Sequence, residues 1–150
     1  MVGLRRVGYR LAYRLLALAA LVWSPRGEGA KAALVCGGEL LLVRHTYGPD
    51  RWELPGGGVR RREEPLAALR RELREELGIE VAQATLICTE IGRGRLRHHR
   101  THLFGVEIDD PRLRPDPVEI AELRWFDPAA PPPRLGAMVR RALAAAAAGG

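Results

Sequence analysis

Glu72, Glu75 and Glu76 stand three and four residues apart inside a run whose leucines repeat at helical spacing. Side chains so spaced share a helix face, so the three carboxylates are expected to converge on one patch. That patch lies away from the apolar stripe of Leu66, Leu69, Leu73 and Leu77. They also fall in the last turns of the helix, where the macrodipole disfavours negative charge. Something positive must neutralise them, and a hard divalent cation such as Mg²⁺ prefers carboxylate oxygen. The competing reading is a solvated, ion-paired face in which Arg71 and Glu75 form an i,i+4 pair. The helix alone leaves both open.

The residues before the helix decide between them. Gly57, five residues, Glu63, seven residues and then Arg71-Glu72-Leu73-Arg74-Glu75-Glu76-Leu77-Gly78-Ile79 resembles the Nudix box at every defining position. Trp52-Glu53-Leu54-Pro55-Gly56 before the box and Trp125-Phe126-Asp127 after it also look like family features. The resemblance covers Lys31 to about Ala130. It implies an α/β/α sandwich with a mixed sheet, in which the box forms loop–helix–loop. It further implies that Glu72, Glu75, Glu76 and the Gly56 carbonyl bind Mg²⁺, with Mn²⁺ as the second choice. Arg71 would pair with Glu63 and hold the catalytic helix. The implied reaction is water attack at phosphorus, cleaving a phosphoanhydride bond in a nucleoside di- or triphosphate derivative.

The family takes its general base either from the box or from a later loop. Glu75 is the candidate in the box; Glu119, just before the last strand, is the candidate outside it, with Glu122 as its neighbour. For Glu119 the alternative is an exposed residue leading into that strand. Two departures stand out. Arg60-Arg61-Arg62 occupies variable box positions where many members carry an acidic residue and a glycine. Glu64 stands where a Ser or Thr cap is usual, a poorer cap by about 1 kcal/mol.

The elements that must position these groups are legible in outline. Lys31–Cys36 and Glu39–His45 read as strands joined by a Gly37-Gly38 hairpin. Leu54 to Gly58 reads as a tight segment that no helix or central strand contains. Pro65 opens the box helix and Gly78 closes it. Val81–Ile91 and Thr101–Ile108 read as strands around a basic loop, Gly92 to Arg100. Asp109 to Pro117 is a Pro-rich turn, Glu122–Phe126 a last strand, and a final helix starts near Arg134.

Composition bounds the rest. The chain has 150 residues and a net charge of +6, but Lys31 is its only lysine. An arginine skew of this kind is weak evidence for nucleic acid, which is not expected as a partner. Cys36 and Cys88 are far apart and outside any C-x-x-C or Cys/His cluster, which argues against a zinc site or disulfide framework and fits reduced thiols in the cytoplasm. Residues 1–29 form an expected N-terminal amphipathic helix and linker, and 30–150 the catalytic domain. Leu4, Val7, Leu11, Leu15, Leu18 and Val22 make the stripe, with Arg6, Arg10 and Arg14 on its flank. The stripe suits packing on the domain or a partner, or lying on a membrane surface; a signal peptide fits less well.

Substrate markers are few. No tyrosine follows Tyr47, against the diadenosine-polyphosphate type, and the ADP-ribose, coenzyme A and NADH signatures are missing. The arginines and histidines of Arg93 to Arg100 could grip a polyphosphate or an RNA end, or be a solvated loop. Two rivals to a small-nucleotide hydrolase are a nucleotide-sensing module of the same fold and a hydrolase acting on RNA 5′ ends. No oligomeric state is specified by the sequence.

Overall fold

Two apolar runs rich in Ala, Leu and Val open the sheet, and the chain reverses between them at Gly37 and Gly38, both at positive φ. The structure is a computed structural model describing residues 27–93 and 98–148. The expected N-terminal helix, and Arg95 and Arg97 of the expected basic loop, lie outside these described residues. Strands β1 (Glu28–Cys36), β2 (Glu39–His45), β3 (Gly56–Gly58), β4 (Thr85–Arg93), β5 (His98–Glu107) and β6 (Ile120–Phe126) are accompanied by helices α1 (Pro65–Leu77) and α2 (Ala137–Ala148). The sheet order is β4-β5-β1-β2-β6, with β3 paired to β1 beside that path. Of the strand pairs among the described residues, only β1 and β5 run parallel, so the sheet is mixed.

Alternation along the strands builds two cores. Ala30, Ala32, Leu34, Leu41, Val43, Phe104 and Val106 meet Leu69, Leu73 and Leu77 of α1. Ala33, Leu40, Leu42 and Leu103 meet Val139 and Ala142 of α2 on the opposite face. The molecule is the expected α/β/α sandwich. Each leucine of the α1 stripe that is removed from water contributes roughly 1.5–3 kcal/mol, which anchors the helix against β1.

Several expected boundaries are corrected. The Leu54–Gly58 segment holds no helix and no central strand, as expected, but it carries a short strand beside the main path of the sheet: Gly56, Gly57 and Gly58 pair with Lys31, Ala30 and Gly29. Glycine is a poor strand former on its own, and the ladder supplied by β1 overrides that preference. Pairing with β5, which sets Glu28 opposite Arg100 and Gly29 opposite Thr101, draws these two residues out of the expected linker into β1. β4 starts at Thr85 rather than Val81, because the Arg70 guanidinium donates to the carbonyls of Val81 and Ala82 and ties them to α1. The basic segment is largely strand, with Gly92 opposite His99 and Arg93 opposite His98. The final helix starts at Ala137, since Arg134 takes a left-handed φ and Leu135 bridges to Trp52.

Candidate active site

The ends of α1 follow its sequence signals. Pro65 occupies the first turn, the Glu64 side chain makes no capping bond, and Gly78 closes the helix at φ 67. The last carbonyls, which a helix leaves unpaired, are taken up by the segment that follows β5: Arg114 N–H donates to Leu77 and Asp116 N–H to Glu76. A turn then leads from Asp116 to Glu119. The Glu119 carbonyl accepts Thr46 N–H at 3.0 Å, and the Thr46 hydroxyl donates to Val118. Thus the carboxylate-bearing turn hangs between the end of α1 and the end of β2.

The box glutamates divide rather than forming one patch. Glu72 and Glu76, one turn apart, are 4% and 2% exposed, while Glu75 faces solvent. Both buried carboxylates meet the glycine strand. Gly56 N–H donates to Glu76 Oε2 at 2.9 Å, and a Cβ on Gly57 would lie 2.5 Å from the Glu72 carboxyl carbon. Gly56 itself has φ 122 and no room for a Cβ, which would collide with the Ala30 carbonyl oxygen. Glycine at 56 is therefore demanded by backbone, and at 57 by the carboxylate. The Gly56 carbonyl accepts a hydrogen bond from the Lys31 ammonium at 2.8 Å.

Arg71 is the clamp of this arrangement. Its guanidinium donates to both oxygens of Glu63 at 2.8 and 2.9 Å, to the Gly58 carbonyl at 2.9 Å and to Glu72 Oε1 at 2.5 Å. Glu75 lies at 3.7 Å from the same group. The Arg71 bond holds the Glu63 carboxyl below the usual range. Glu72 goes the other way: burial first and the charge of Glu76 next push it up to about 7, against the opposing pull of Arg71.

Two residues not singled out from sequence complete the pocket. His45 Nε2 lies 3.3 Å from Glu76 Oε1, and the Tyr47 ring is tilted against the His45 ring at 5.2 Å. The Tyr47 phenol is raised well above its ordinary range by burial, then by the charges of Glu76, Glu119 and Glu72. The charges of all three carboxylates are thus felt at one hydroxyl. Glu119 is 7% exposed, which overturns the exposed alternative for it. Glu122 instead pairs with Arg44 and Arg124 at 3.0 and 2.6 Å. No local pattern marks His45 or Tyr47; they reach the pocket because β2 pairs with β6 through an irregularity at Arg44/His45.

A hard cation fits this donor set. The candidate ligands are all oxygens, two of them carboxylates too deeply buried for water to neutralise. Among the described residues no three such side chains already converge in ligating geometry. The carboxylate oxygens are instead turned to Arg71, Gly56 N–H and His45.

Comparison with known proteins agrees with the architecture. The family model for the NUDIX domain matches residues 25–146. A MutT NUDIX hydrolase structure from Burkholderia pseudomallei superposes with a TM-score of 0.72 at 31% identity, covering 79% of this chain and 96% of that one. The mouse (Mus musculus) diphosphoinositol polyphosphate phosphohydrolase 3-alpha is 34% identical over 93 residues, 59% of this chain and 56% of its own. A Mycobacterium tuberculosis protein named as a putative 8-oxo-dGTP diphosphatase 2 is 43% identical over 91 residues, 55% of this chain and 62% of its own. The chain thus spans little more than half the length of these curated relatives. A box helix seated on a glycine strand, in a mixed sheet that the family model covers almost from end to end, makes this chain a member of the Nudix family.

Proposed function

We propose that the chain is a Mg²⁺-dependent hydrolase that cleaves a phosphoanhydride bond in a nucleoside di- or triphosphate derivative, with Mn²⁺ able to substitute. The observation that carries this reading is the pair of carboxylates, Glu72 and Glu76, buried against the glycine strand, with Glu119 buried in the turn that joins the end of α1 to the end of β2. A purely structural ion-paired face would leave all three box glutamates in water; here only Glu75 is exposed.

In this reading Glu72, Glu75, Glu76 and the Gly56 carbonyl hold the metal. A bound divalent ion supplies charge neutralisation at phosphate oxygens and a more acidic water. The chain's own residues do the rest. Arg71, through Glu63 and Gly58, keeps the loop against α1 so that Glu72 stays in place. Glu119 serves as the general base, taking a proton from the attacking water; its seat between Thr46 and Asp116 fixes its approach. Glu75 is the alternative base, but its neighbour is Arg71 and its face is open to solvent.

The test is a substrate panel with Mg²⁺, read by phosphate release with and without added pyrophosphatase. It should include nucleoside triphosphates, 8-oxo-dGTP, a sugar-linked nucleoside diphosphate and a diphosphoinositol polyphosphate. Turnover of a nucleotide is expected. Tight nucleotide binding with no turnover under Mg²⁺ or Mn²⁺ would instead identify a sensing module.

A further inference from the structure

Between the glycine strand and α1 the chain carries three consecutive arginines, Arg60, Arg61 and Arg62, and all three are exposed. Several exposed arginines elsewhere are tied to carboxylates: Arg51 to Glu53, Arg74 to Glu80, Arg112 to Asp110 and Arg134 to Asp50. Among the described residues, the side chains of Arg60, Arg61 and Arg62 have no such partner. The carboxylates nearest in the chain do not supply one. Glu63 gives both its oxygens to Arg71, and one of them also accepts the Arg60 N–H. Glu64 makes no capping bond with its side chain. A guanidinium without an acid partner in its own protein is open to an anion from outside, and its planar fork matches phosphate.

The backbone of the turn adds a second observation. Arg62 stands at φ 63, a conformation that costs an L side chain energy and glycine almost none. Arg134 is the other non-glycine residue at positive φ among the described residues, and its guanidinium holds Asp50 at 2.6 Å. No side-chain contact inside the protein offsets the strain at Arg62 in that way, and an outlier of this kind points to function. The turn is also fixed in place. Glu63 N–H donates to the Arg60 carbonyl at 3.1 Å. Arg71 grips Gly58 before the turn and Glu63 after it while also touching Glu72. Three residues of chain, at most about 11 Å, separate Arg60 from Gly57, and Gly57 lies against the Glu72 carboxylate. The arginines thus border the carboxylates that the proposed reaction uses.

We propose that Arg60, Arg61 and Arg62 form a subsite for a phosphate group beyond the two joined by the scissile anhydride, so that the substrate is an anion with at least three phosphates. This deepens the hydrolase reading and rests on it for the position of the anhydride. The strain at Arg62 is a cost in the free protein, which charge-assisted hydrogen bonds to the ligand offset. A diphosphate with no further phosphate leaves the three guanidiniums in water. An acidic protein surface would meet the same charges, but a turn pinned beside the buried carboxylates favours a ligand that spans both.

The test titrates the full chain, with Mg²⁺, against methylene-bridged analogues of pyrophosphate and tripolyphosphate, which resist hydrolysis. The wild type is expected to bind the three-phosphorus analogue at least about tenfold more tightly, as one hydrogen bond between charged groups implies. Arg61→Ala and Arg62→Gly should each remove most of that preference. Arg112→Ala, which removes an exposed arginine paired with Asp110, should leave it intact. Without ligand, Arg62→Gly should melt roughly 2–4 °C above the wild type, because its backbone conformation suits glycine. A rise in the KM of Arg62→Gly for a nucleoside triphosphate places the extra phosphate in line. A rise only for an inositol polyphosphate places it on a ring. Four results would overturn the proposal: equal wild-type affinity for both analogues, a preference that survives in both variants, its equal loss in Arg112→Ala, or lower melting of Arg62→Gly. Turnover of a nucleotide beside any of these leaves the hydrolase standing without the subsite. A preference lost in the variants, with no turnover of any substrate, does the reverse.

Discussion

Gly56 and Gly57 are neighbours with different reasons to be glycine, and their substitution separates folding from function. A methyl at Gly56 meets backbone, the Ala30 carbonyl, and sits at a φ that side chains rarely adopt. Strain and overpacking together predict that Gly56→Ala loses roughly 2–5 kcal/mol in urea unfolding. A methyl at Gly57 meets only the carboxylate end of Glu72, which can turn aside. Gly57→Ala should lose no more than about 1–3 kcal/mol, yet lose the Mg²⁺-induced rise in melting temperature. A full Mg²⁺ response in that variant would remove Glu72 from the metal. Glu119→Gln should lower kcat by about 100-fold or more with little change in KM, the size expected for losing a general base. A drop under about fivefold would return the role to Glu75. Of these residues, Glu72, Glu75 and Glu76 were legible from spacing and resemblance. Tyr47 was not, because its significance depends on Glu72, Glu76 and Glu119, all far along the chain from it.

At the scale of the element, α1 is held by two kinds of contact that mutations can distinguish. Its leucine stripe anchors it to the sheet, while Arg71 anchors the preceding loop to it. Arg71→Met strands Glu63 and Glu72 together, and breaking a largely buried ion pair predicts a loss of about 3–5 kcal/mol. Arg71→Lys should recover only part of that, because an ammonium lacks the planar fork that meets both Glu63 oxygens. Glu76→Gln tests the opposite end. A glutamine oxygen can still accept Gly56 N–H, and the repulsion with Glu72 disappears. The metal-free protein should melt at the same temperature or slightly higher, while activity with Mg²⁺ falls on the order of 10²–10³-fold. Lower melting with normal turnover would mean that Glu76 is a structural residue. The helix ends were readable from Pro65 and Gly78, whose backbone preferences act locally. The start of β4 was not, since it is set by Arg70 reaching eleven and twelve residues ahead.

For the whole molecule, the proposed metal binding would be linked to folding. A ligand that binds only the native state stabilises it by about 2.7 kcal/mol at a hundred times its Kd. The same Glu76→Gln pair therefore has a thermodynamic readout: melting temperature should rise with Mg²⁺ concentration for the wild type and stay flat for the variant. A flat wild-type series would remove the metal from this fold. Deleting residues 1–23 should leave kcat for small nucleotides largely unchanged, because the family match begins at residue 25. Loss of turnover in a folded truncation would place that segment within the site. Among the described residues, no helix is long and apolar enough to cross a membrane.

What the sequence determined by itself is the family and its local support: the box, the helix that carries its carboxylates, the ends of that helix and the sandwich class. These follow from spacing, capping, apolar period and the box they compose, which are properties of neighbouring residues. The tertiary structure alone decided how deep each carboxylate lies. Glu72 and Glu76 are buried because three glycines, poor strand formers in isolation, are recruited by β1 and close over them. Glu119 reaches the same pocket because the α1 carbonyls need donors, and the turn that supplies Asp116 N–H brings Glu119 with it. Both outcomes come from hydrogen bonds between distant segments, which no local pattern encodes.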